Sequence, residues 1–324
     1  MRRWLSPLTL LALFASLSLA DDKKKDPDEI GDRDVAGGVN FYSIEQEMAM
    51  GKQLATEVQK QSRMVDDPIL SEYINRVGQN LARNSDAKIP ITFQIIDSDS
   101  VNAFTLPGGY IFVNTGLIRL AETEAELAGA MAHEIGHSAA RHTTRQQTRA
   151  LIANLATIPL ILLGGWTGYA ARQGAGIGIP MAFLSFSRGF EKEADLLGLE
   201  YMYKAGYDPN ASIDIFERIQ SLEKTKPGAV EKIFATHPMT EDRIAVTQKN
   251  INEILPPKPE YVVNTSEFND MRARVIAIHR QRKLDSDPNQ PTLKRAPGSG
   301  QIDGAETGQD GDDRPTLQRR EDLL

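Results

Sequence analysis

The chain has 324 residues, of which 40% are hydrophobic and 25% are charged, so it can bury a substantial core. The formal net charge of −7 argues against a general nucleic-acid-binding protein, because no excess of Lys and Arg is present to neutralise phosphates. The sequence contains no cysteine, which excludes disulfides, cysteine-based zinc sites, thiol nucleophiles and a lipid-modified N-terminal cysteine. We therefore expect no nucleic-acid partner and no lipoprotein.

Residues 1–20 are predicted to be a secretory signal peptide. Two arginines precede an uncharged stretch from Trp4 to Ala20, in which Ser18 and Ala20 supply the small residues of a cleavage site. The alternative is a retained membrane anchor, but this stretch is shorter than the roughly 20 apolar residues that a membrane span needs. We expect cleavage after Ala20 and export, to the periplasm if the source is a Gram-negative bacterium.

Two further segments are predicted to lie outside the folded domain. Residues 21–40 are charged and contain glycine, which is typical of a linker. Residues 284–324 have no aromatic side chain and are rich in polar residues, glycine and proline, so they cannot bury enough apolar surface to offset the entropy of ordering. We expect a disordered, solvated tail, with a partner-binding tail as the alternative. The remaining segment, 41–283, is predicted to be one domain.

This domain is predicted to be α+β and predominantly helical, with one small sheet. A capping box at Ser43 begins an amphipathic stretch to about Gln61, and a second helix fits Pro68–Ala82. Strand-type runs occupy 91–96 and 110–113, the latter directly after a Pro-Gly-Gly turn signal.

The second half of the domain is predicted to be entirely helical. A capping box at Thr123 begins a long helix that we extend to at least Arg149. Further helices are predicted over 190–205, 209–224, 241–254 and 267–281.

The long helix carries the pattern His133-Glu134-Ile135-Gly136-His137. At 100° per residue the two histidines lie about 40° apart on one helix face, so both imidazoles can bind one metal ion. Glu134 lies one position further around the helix, where its carboxylate can reach a water molecule at the metal. The apolar residues before His133 disfavour the alternative, which is a polar helix surface without a metal.

A third ligand is needed, because a catalytic zinc site usually has three protein ligands and an open position. Glu191 and Asp195 are four residues apart on one face of a predicted helix, whereas Glu193 points away from that face. We expect Glu191 to bind the metal and Asp195 to accept the second ring N–H of a ligand histidine. An ordinary acidic helix surface is the equally weighted alternative when only the helix geometry is considered.

Together these motifs resemble the gluzincin zinc metallopeptidases, the family that includes HtpX, the CAAX prenyl proteases and the periplasmic protease BepA. The resemblance covers roughly residues 41–255 and is closest to the soluble periplasmic members. Its blocks are His133–His137, Glu191–Asp195, Asn102-Ala103-Phe104, 107–111, Ser187-Arg188, and Thr236-His237-Pro238 with Arg243.

What the resemblance implies is a domain with a long metal-binding helix and a small sheet whose edge strand binds substrate. It implies one Zn²⁺ per chain on His133, His137 and Glu191, in agreement with the helical argument. It gives His237 a place over the metal, either blocking the open position or stabilising the oxyanion, and it gives Arg243 a part in holding the transition state. The substrate-binding edge strand would involve Asn102, Ala103, Phe104 and Tyr110.

Two other features are given structural interpretations. His142 is nine residues from His133, so in a continuous helix it points to the opposite side, and we interpret it as a packing or capping residue. Residues 151–186 are mostly apolar but are interrupted by Pro and Gly, which favours a buried helical hairpin. A contact with the membrane surface through 151–186 is the alternative.

The sequence therefore predicts an exported zinc endopeptidase that cleaves unfolded or misassembled envelope proteins, in the service of protein quality control. Glu134 would act as the general base toward a zinc-activated water molecule, with His237 and Arg243 as the other catalytic residues. The competing hypothesis is a latent or non-catalytic zinc-bound chaperone in which His237 permanently occupies the open position. A metal-dependent hydrolase of another substrate class fits less well, because an edge strand suits an extended peptide.

Overall fold

A computed structural model of the chain describes residues 26–152, 186–226, 237 and 241–285. The predicted signal peptide lies outside these residues, and so does the predicted tail beyond residue 285. The described residues up to Arg282 belong to one structural unit.

Helices dominate the described part of the chain, which confirms the predicted α+β class. The strands are β1 (Thr92–Ile96), β2 (Ala103–Leu106) and β3 (Tyr110–Asn114). The labelled α-helices are α1 (Ile44–Gln61), α2 (Pro68–Arg83), α3 (Thr115–Leu120), α4 (Glu124–Ala139), α5 (Arg188–Ala205), α6 (Ala211–Thr225), α7 (Glu241–Ile254) and α8 (Ser266–Asp285). A further helical stretch covers 142–152, and short 3₁₀ turns occur at Pro27–Glu29 and Pro107–Gly109.

The helix starts follow local side-chain chemistry. Ser43 forms the predicted capping box with Gln46 at the start of α1. The hydroxyl of Thr123 accepts a hydrogen bond from the amide of Glu126 at the start of α4, and Ser187 caps α5 in the same way. These caps fix where the two helices that carry the predicted metal ligands begin.

The sheet has three strands in the order β1-β3-β2, with β1 parallel and β2 antiparallel to β3. Phe104 of β2 faces Phe112 of β3, and their rings stack with centroids 5.2 Å apart. Among the described strands β2 is therefore an edge strand, whereas β3 is paired on both sides. Tyr110, which was expected at the substrate edge together with Asn102–Phe104, begins the central strand instead, because β3 also pairs in parallel with β1.

Close packing of α4 against α5 fixes the centre of the fold. A β-carbon at Gly136 of α4 would lie 2.9 Å from the carbonyl oxygen of Ala194, and one at Gly198 of α5 would lie 3.0 Å from the amide nitrogen of His133. Glycine at both positions lets the two helices approach nearly backbone to backbone. The two predicted metal motifs are thereby brought side by side in the buried core.

The predicted long helix is in fact two helices. Helix α4 ends at Ala139, and Arg141 adopts a left-handed backbone conformation with φ 53° before the chain becomes helical again over 142–152. The Arg141 side chain donates to the buried carboxylate of Glu47 at 2.6 Å and to the carbonyl of Tyr42 at 2.8 Å. The prediction of one helix to Arg149 fails because this break depends on a partner in α1, which helical periodicity does not reveal.

Residues 26–40 of the segment predicted to be a linker pack into the core of the domain instead. Ile30 and Val35 are buried in the main core, and Arg33 donates to the carboxylates of Asp86, at 2.9 Å, and Glu200. All three of these charged side chains are buried. The prediction of a linker rested on the charged composition of this segment, which does not reveal that Arg33 is paired inside the domain.

Among the described residues, no helix combines the length and the apolar character needed to cross a bilayer. The predicted hairpin or membrane contact over 151–186 lies almost entirely outside the described residues.

The buried Arg33 cluster leads to a stability prediction. Arg33→Met should lower the free energy of unfolding by about 3–5 kcal/mol, because Asp86 and Glu200 would lose their buried cationic partner. Arg76→Met is the matched control: Arg76 is half exposed and pairs with Glu267, so its loss should cost less than about 1 kcal/mol. Urea unfolding measures both values, and equal losses would contradict the role given to Arg33.

Candidate metal centre

Four side chains that can bind a metal converge between α4 and α5. They are His133 and His137 from α4, Glu191 from the first turn of α5, and His237, and all four are buried. One ligand atom from each lies within 4.8 Å of the others. Three residues predicted as ligands from sequence are thus brought together, with His237 as a fourth member of the cluster.

The distances within the cluster show which atoms face its centre. His133 Nε2 and His137 Nε2 are 3.0 Å apart. Glu191 Oε1 lies 3.4 Å from His137 Nε2, and Glu191 Oε2 lies 3.5 Å from His133 Nε2. His237 Nδ1 is 3.4 Å from His133 Nε2. Imidazole nitrogens and a carboxylate oxygen pointing at one buried position are a donor set that fits zinc.

Asp195 and Arg243 surround this cluster. Asp195 Oδ1 lies 3.0 Å from His133 Nδ1, the ring nitrogen that faces away from the cluster, where the sequence placed it. Arg243 donates to both oxygens of Asp195 at 2.8 and 2.7 Å, and its third nitrogen lies 3.0 Å from Glu191 Oε2. Burial alone would raise the pKa of Asp195, but Arg243 and His133 outweigh it and hold that pKa below its usual value. Asp195 therefore remains a carboxylate beside the ring of His133.

The charge states of His137 and Glu191 suit a bound cation, whereas His133 must first lose a proton: burial would lower its pKa, but Asp195 and Glu191 outweigh burial and raise it to about 10. Burial lowers the pKa of His137 well below its usual value, which favours the neutral imidazole that binds metals. Burial would raise the pKa of Glu191, but the neighbouring histidines, His237 first, keep it well below its usual value. A neutral imidazole next to an ionised carboxylate is the protonation pattern that a zinc site requires.

Glu134 lies beside the cluster rather than within it. Its Oε1 is 3.3 Å from His237 Nε2, and its Oε2 is buried without a hydrogen-bond partner among the described residues. Burial, with a contribution from the charge of Glu191, raises the pKa of Glu134 despite the opposing effect of His237 and His133. A buried carboxylate with a raised pKa and an unused oxygen is suited to accept a proton.

Strand β2 runs along the same side of the site. The amide of Asn114 donates to the carbonyl of Asn102, so alternation in the antiparallel pair turns the main-chain groups of Ala103 and Thr105 away from β3. The Thr105 main chain also faces Glu134, where it lowers the carboxyl pKa against the larger, opposite effect of burial. Every residue of β2 is buried, as is Asn102 just before it, whereas Tyr110 begins the central strand.

An apolar cavity opens between β2 and α6, next to Glu134 and His237. Its apolar lining comes from β2, α3, α4 and α6, namely Ala103, Leu117, Ala130, Ile215, Phe216 and Ile219. The cavity and the outer edge of β2 therefore both lie next to the carboxylate of Glu134.

Sequence reasoning missed one residue that contacts the cluster, His142, and a second, Glu193, that contacts His142. His142 does not point away from it: its Nδ1 lies 2.9 Å from His137 Nδ1, because the left-handed turn at Arg141 returns the chain to that side. Glu193, which points away from the Glu191 face as expected, lies 3.0 Å from His142 Nε2. No helical periodicity signals either contact, since the periodicity is interrupted between His137 and His142.

The site is that of a metal-dependent peptidase family, and comparison with known proteins identifies which one. Residues 68–251 match the model of peptidase family M48, and the chain belongs to this family.

Named relatives are found in bacteria and mitochondria. The chain is 30% identical over 291 residues to a beta-barrel assembly-enhancing protease of Escherichia coli strain K12, covering 86% of this chain and 58% of the relative. It is 34% identical over 290 residues to a putative beta-barrel assembly-enhancing protease of Vibrio cholerae, with the same coverage of 86% and 58%. It is 34% identical over 189 residues to the mitochondrial metalloendopeptidase OMA1 of Schizosaccharomyces pombe, covering 57% of this chain and 52% of that protein. The chain thus spans somewhat more than half the length of these relatives.

The cluster leads to a prediction for metal binding. Glu191→Ala should weaken zinc binding by more than about 100-fold, since loss of a direct ligand exceeds the roughly 10–100-fold effect of losing a partner of a ligand. Competition with a chromophoric chelator measures the affinity. Glu72→Ala, which removes an exposed carboxylate on α2, is the control and should bind zinc like the wild type. Unchanged affinity in Glu191→Ala would exclude Glu191 as a ligand.

Proposed function

We propose that this chain is a zinc-dependent endopeptidase. The observation that carries the proposal is the convergence of His133, His137 and Glu191 beside the buried carboxylate of Glu134. Membership of peptidase family M48 supports the same reaction class. One zinc ion per chain would be held by the two histidines and Glu191.

Zinc bound at this position supplies a Lewis acid that activates water and polarises a substrate carbonyl. Glu134 accepts the proton of the attacking water and later delivers it to the leaving amine. Burial raises the pKa of Glu134 above its usual value, which makes this carboxylate a stronger base for the proton of the water molecule.

His237 and Arg243 assist from the other side of the site. His237 Nε2 lies 3.3 Å from Glu134, so a small rotation of this ring can direct an N–H toward the oxyanion that forms on the substrate. Arg243 contributes by holding Asp195 and Glu191 in place through its three short contacts. Asp195 in turn orients the ring of His133.

Substrate binds as an added strand on the edge of β2. The outward main-chain groups of Ala103 and Thr105 are buried in this structure, so an extended peptide pairs with them only once this edge is uncovered, and its scissile bond then passes over Glu134. Asn102, Phe104 and Tyr110 shape this edge from the sheet, and the neighbouring apolar cavity accepts a substrate side chain. Recognition through main-chain groups selects unfolded segments rather than a particular sequence.

The substrates that we propose are unfolded or misassembled envelope proteins. The bacterial relatives are named as beta-barrel assembly-enhancing proteases, which supports substrates of this kind. Export to the periplasm follows from the signal peptide predicted over residues 1–20. We also propose a domain over 41–283, with residues 26–40 packed into its core, no nucleic-acid partner, and residues 151–186 as the segment available for membrane contact.

A second candidate is a latent zinc-bound protein or chaperone. His237 Nδ1 lies 3.2 Å from Glu191 Oε1 and belongs to the ligand cluster, so it can occupy a fourth position at the metal. A four-coordinate site without an open position is typical of structural rather than catalytic zinc.

The test is cleavage of casein by zinc-loaded residues 21–324 and by the Glu134→Gln variant. We expect the variant to keep its zinc and to lose about 10²–10⁴-fold in rate, because it loses the general base. Glu45→Gln, an exposed residue of α1, is the matched control and should cleave like the wild type. Equal cleavage by wild type and Glu134→Gln would contradict the proposed mechanism.

The variant His237→Phe separates the two candidates in the same assay. If His237 stabilises the oxyanion, the rate should fall about 10²–10³-fold while zinc remains bound. A wild type that is inactive, with cleavage appearing only in His237→Phe, would instead support the latent protein.

A further inference from the structure

Beyond the predicted ligands and general base, a chain of polar groups leads from the buried His137 to a partly exposed carboxylate. It consists of His137, His142 and Glu193, which come from α4, the following helix and α5. His142 Nδ1 lies 2.9 Å from His137 Nδ1, and His142 Nε2 lies 3.0 Å from Glu193 Oε2. His137 and His142 are both fully buried.

The protons in this chain can be placed from the geometry. His137 Nε2 faces the metal cluster, 3.0 Å from His133 Nε2, so a metal there takes the lone pair of Nε2 and leaves the proton on Nδ1. That proton can only be donated to His142 Nδ1, which must therefore be the acceptor. The proton of His142 then resides on Nε2 and is donated to the carboxylate of Glu193.

Neighbouring aromatic and cationic groups hold this arrangement. Phe190 stacks on the ring of His142 at 4.3 Å, and Phe186 stacks on the ring of His137 at 3.9 Å. Arg145 lies 3.2 Å from the same Glu193 oxygen and also donates to the carbonyl of Ala140 at the end of α4. Each ring therefore has a fixed plane, and the carboxylate at the end of the chain is fixed in place.

We propose that His142 and Glu193 are positioning residues for the metal site: they form a one-way hydrogen-bond relay, His137 to His142 to Glu193. The relay fixes the Nε2-binding tautomer of His137 and, through the negative charge of Glu193, increases the basicity of that nitrogen. It does for His137 what Asp195 does for His133, but through an intervening imidazole. This inference rests on the zinc site of the proposed function.

The relay requires the broken helix described above. In a continuous helix His142 would point to the opposite side of α4, as the sequence led us to expect. The left-handed residue Arg141, held by Glu47, turns the chain so that His142 meets the outer nitrogen of His137. The bend therefore has a functional consequence as well as a structural one.

The experiment measures the Zn²⁺ affinity of the full chain by chelator competition in three variants. His142→Phe keeps a stacking ring but removes both nitrogens, and we expect zinc affinity to fall about 10–100-fold. Glu193→Gln keeps the shape at a partly exposed position and should lower the affinity by up to about 10-fold. His142→Gln offers an acceptor and a donor in one amide, so it should bind zinc more tightly than His142→Phe.

Matched controls are His279→Phe and Glu217→Gln, which make the same changes outside the site and should leave zinc affinity at the wild-type value. The direct readout of the relay is the His137 Nδ1–H proton in the zinc-loaded protein. It should give a slowly exchanging, downfield imidazole resonance in the wild type that disappears in His142→Phe.

The outcomes separate this inference from the proposed function. A wild type that does not bind zinc overturns both. Tight wild-type binding with unchanged affinity in His142→Phe and Glu193→Gln overturns the relay alone. If His142→Phe fails to fold, the Glu193→Gln affinity and the wild-type proton resonance decide the matter.

Discussion

Helices α4 and α5 approach so closely at Gly136 and Gly198 that the rest of the site depends on this contact. Since a β-carbon at Gly136 would lie 2.9 Å from the Ala194 carbonyl, a larger residue there would push the helices apart. The cluster tolerates little separation, because its ligand atoms already span up to 4.8 Å. Backbone packing between two glycines therefore sets the distances on which the proposed chemistry depends.

Around this contact, buried charged groups are arranged in pairs that fix geometry. Arg243 holds Asp195 and Glu191. Arg141, which follows the end of α4, binds Glu47 of α1, and Arg33 joins the N-terminal segment to the core. Each arginine gives up hydration that its carboxylate contacts must offset, and such pairs contribute more to a defined arrangement than to net stability. The polar interior thus supports precise positions for the imidazoles and for Glu134.

The sequence was most informative where function and helical geometry coincide. His133 and His137 on one helix face, and Glu191 and Asp195 on another, follow from the 3.6-residue period, and the structure brings all four together. The capping box at Ser43 and the N-cap at Thr123 likewise locate helix starts from local chemistry alone, although the second half of the capping box predicted at Thr123 does not form.

What the sequence could not reveal depends on contacts distant along the chain. The end of α4 is determined by Glu47, which lies 94 residues before Arg141, so a helix to Arg149 was a reasonable but wrong extension. The observed position of His142 follows from that break, so the prediction that His142 points to the opposite side of the helix is wrong for the same reason. The burial of Arg33 depends on Asp86 and Glu200, and the central place of β3 depends on pairing with β1.

We propose that one metal ion binds between α4 and α5. A zinc-edge anomalous difference map from crystals of the zinc-loaded protein tests this placement. We expect a peak within about 2.0–2.2 Å of His133 Nε2, His137 Nε2 and a Glu191 oxygen, with Asp195 and His142 on the outer ring nitrogens. A map without a peak at this cluster, or with zinc bound by other residues, would contradict it.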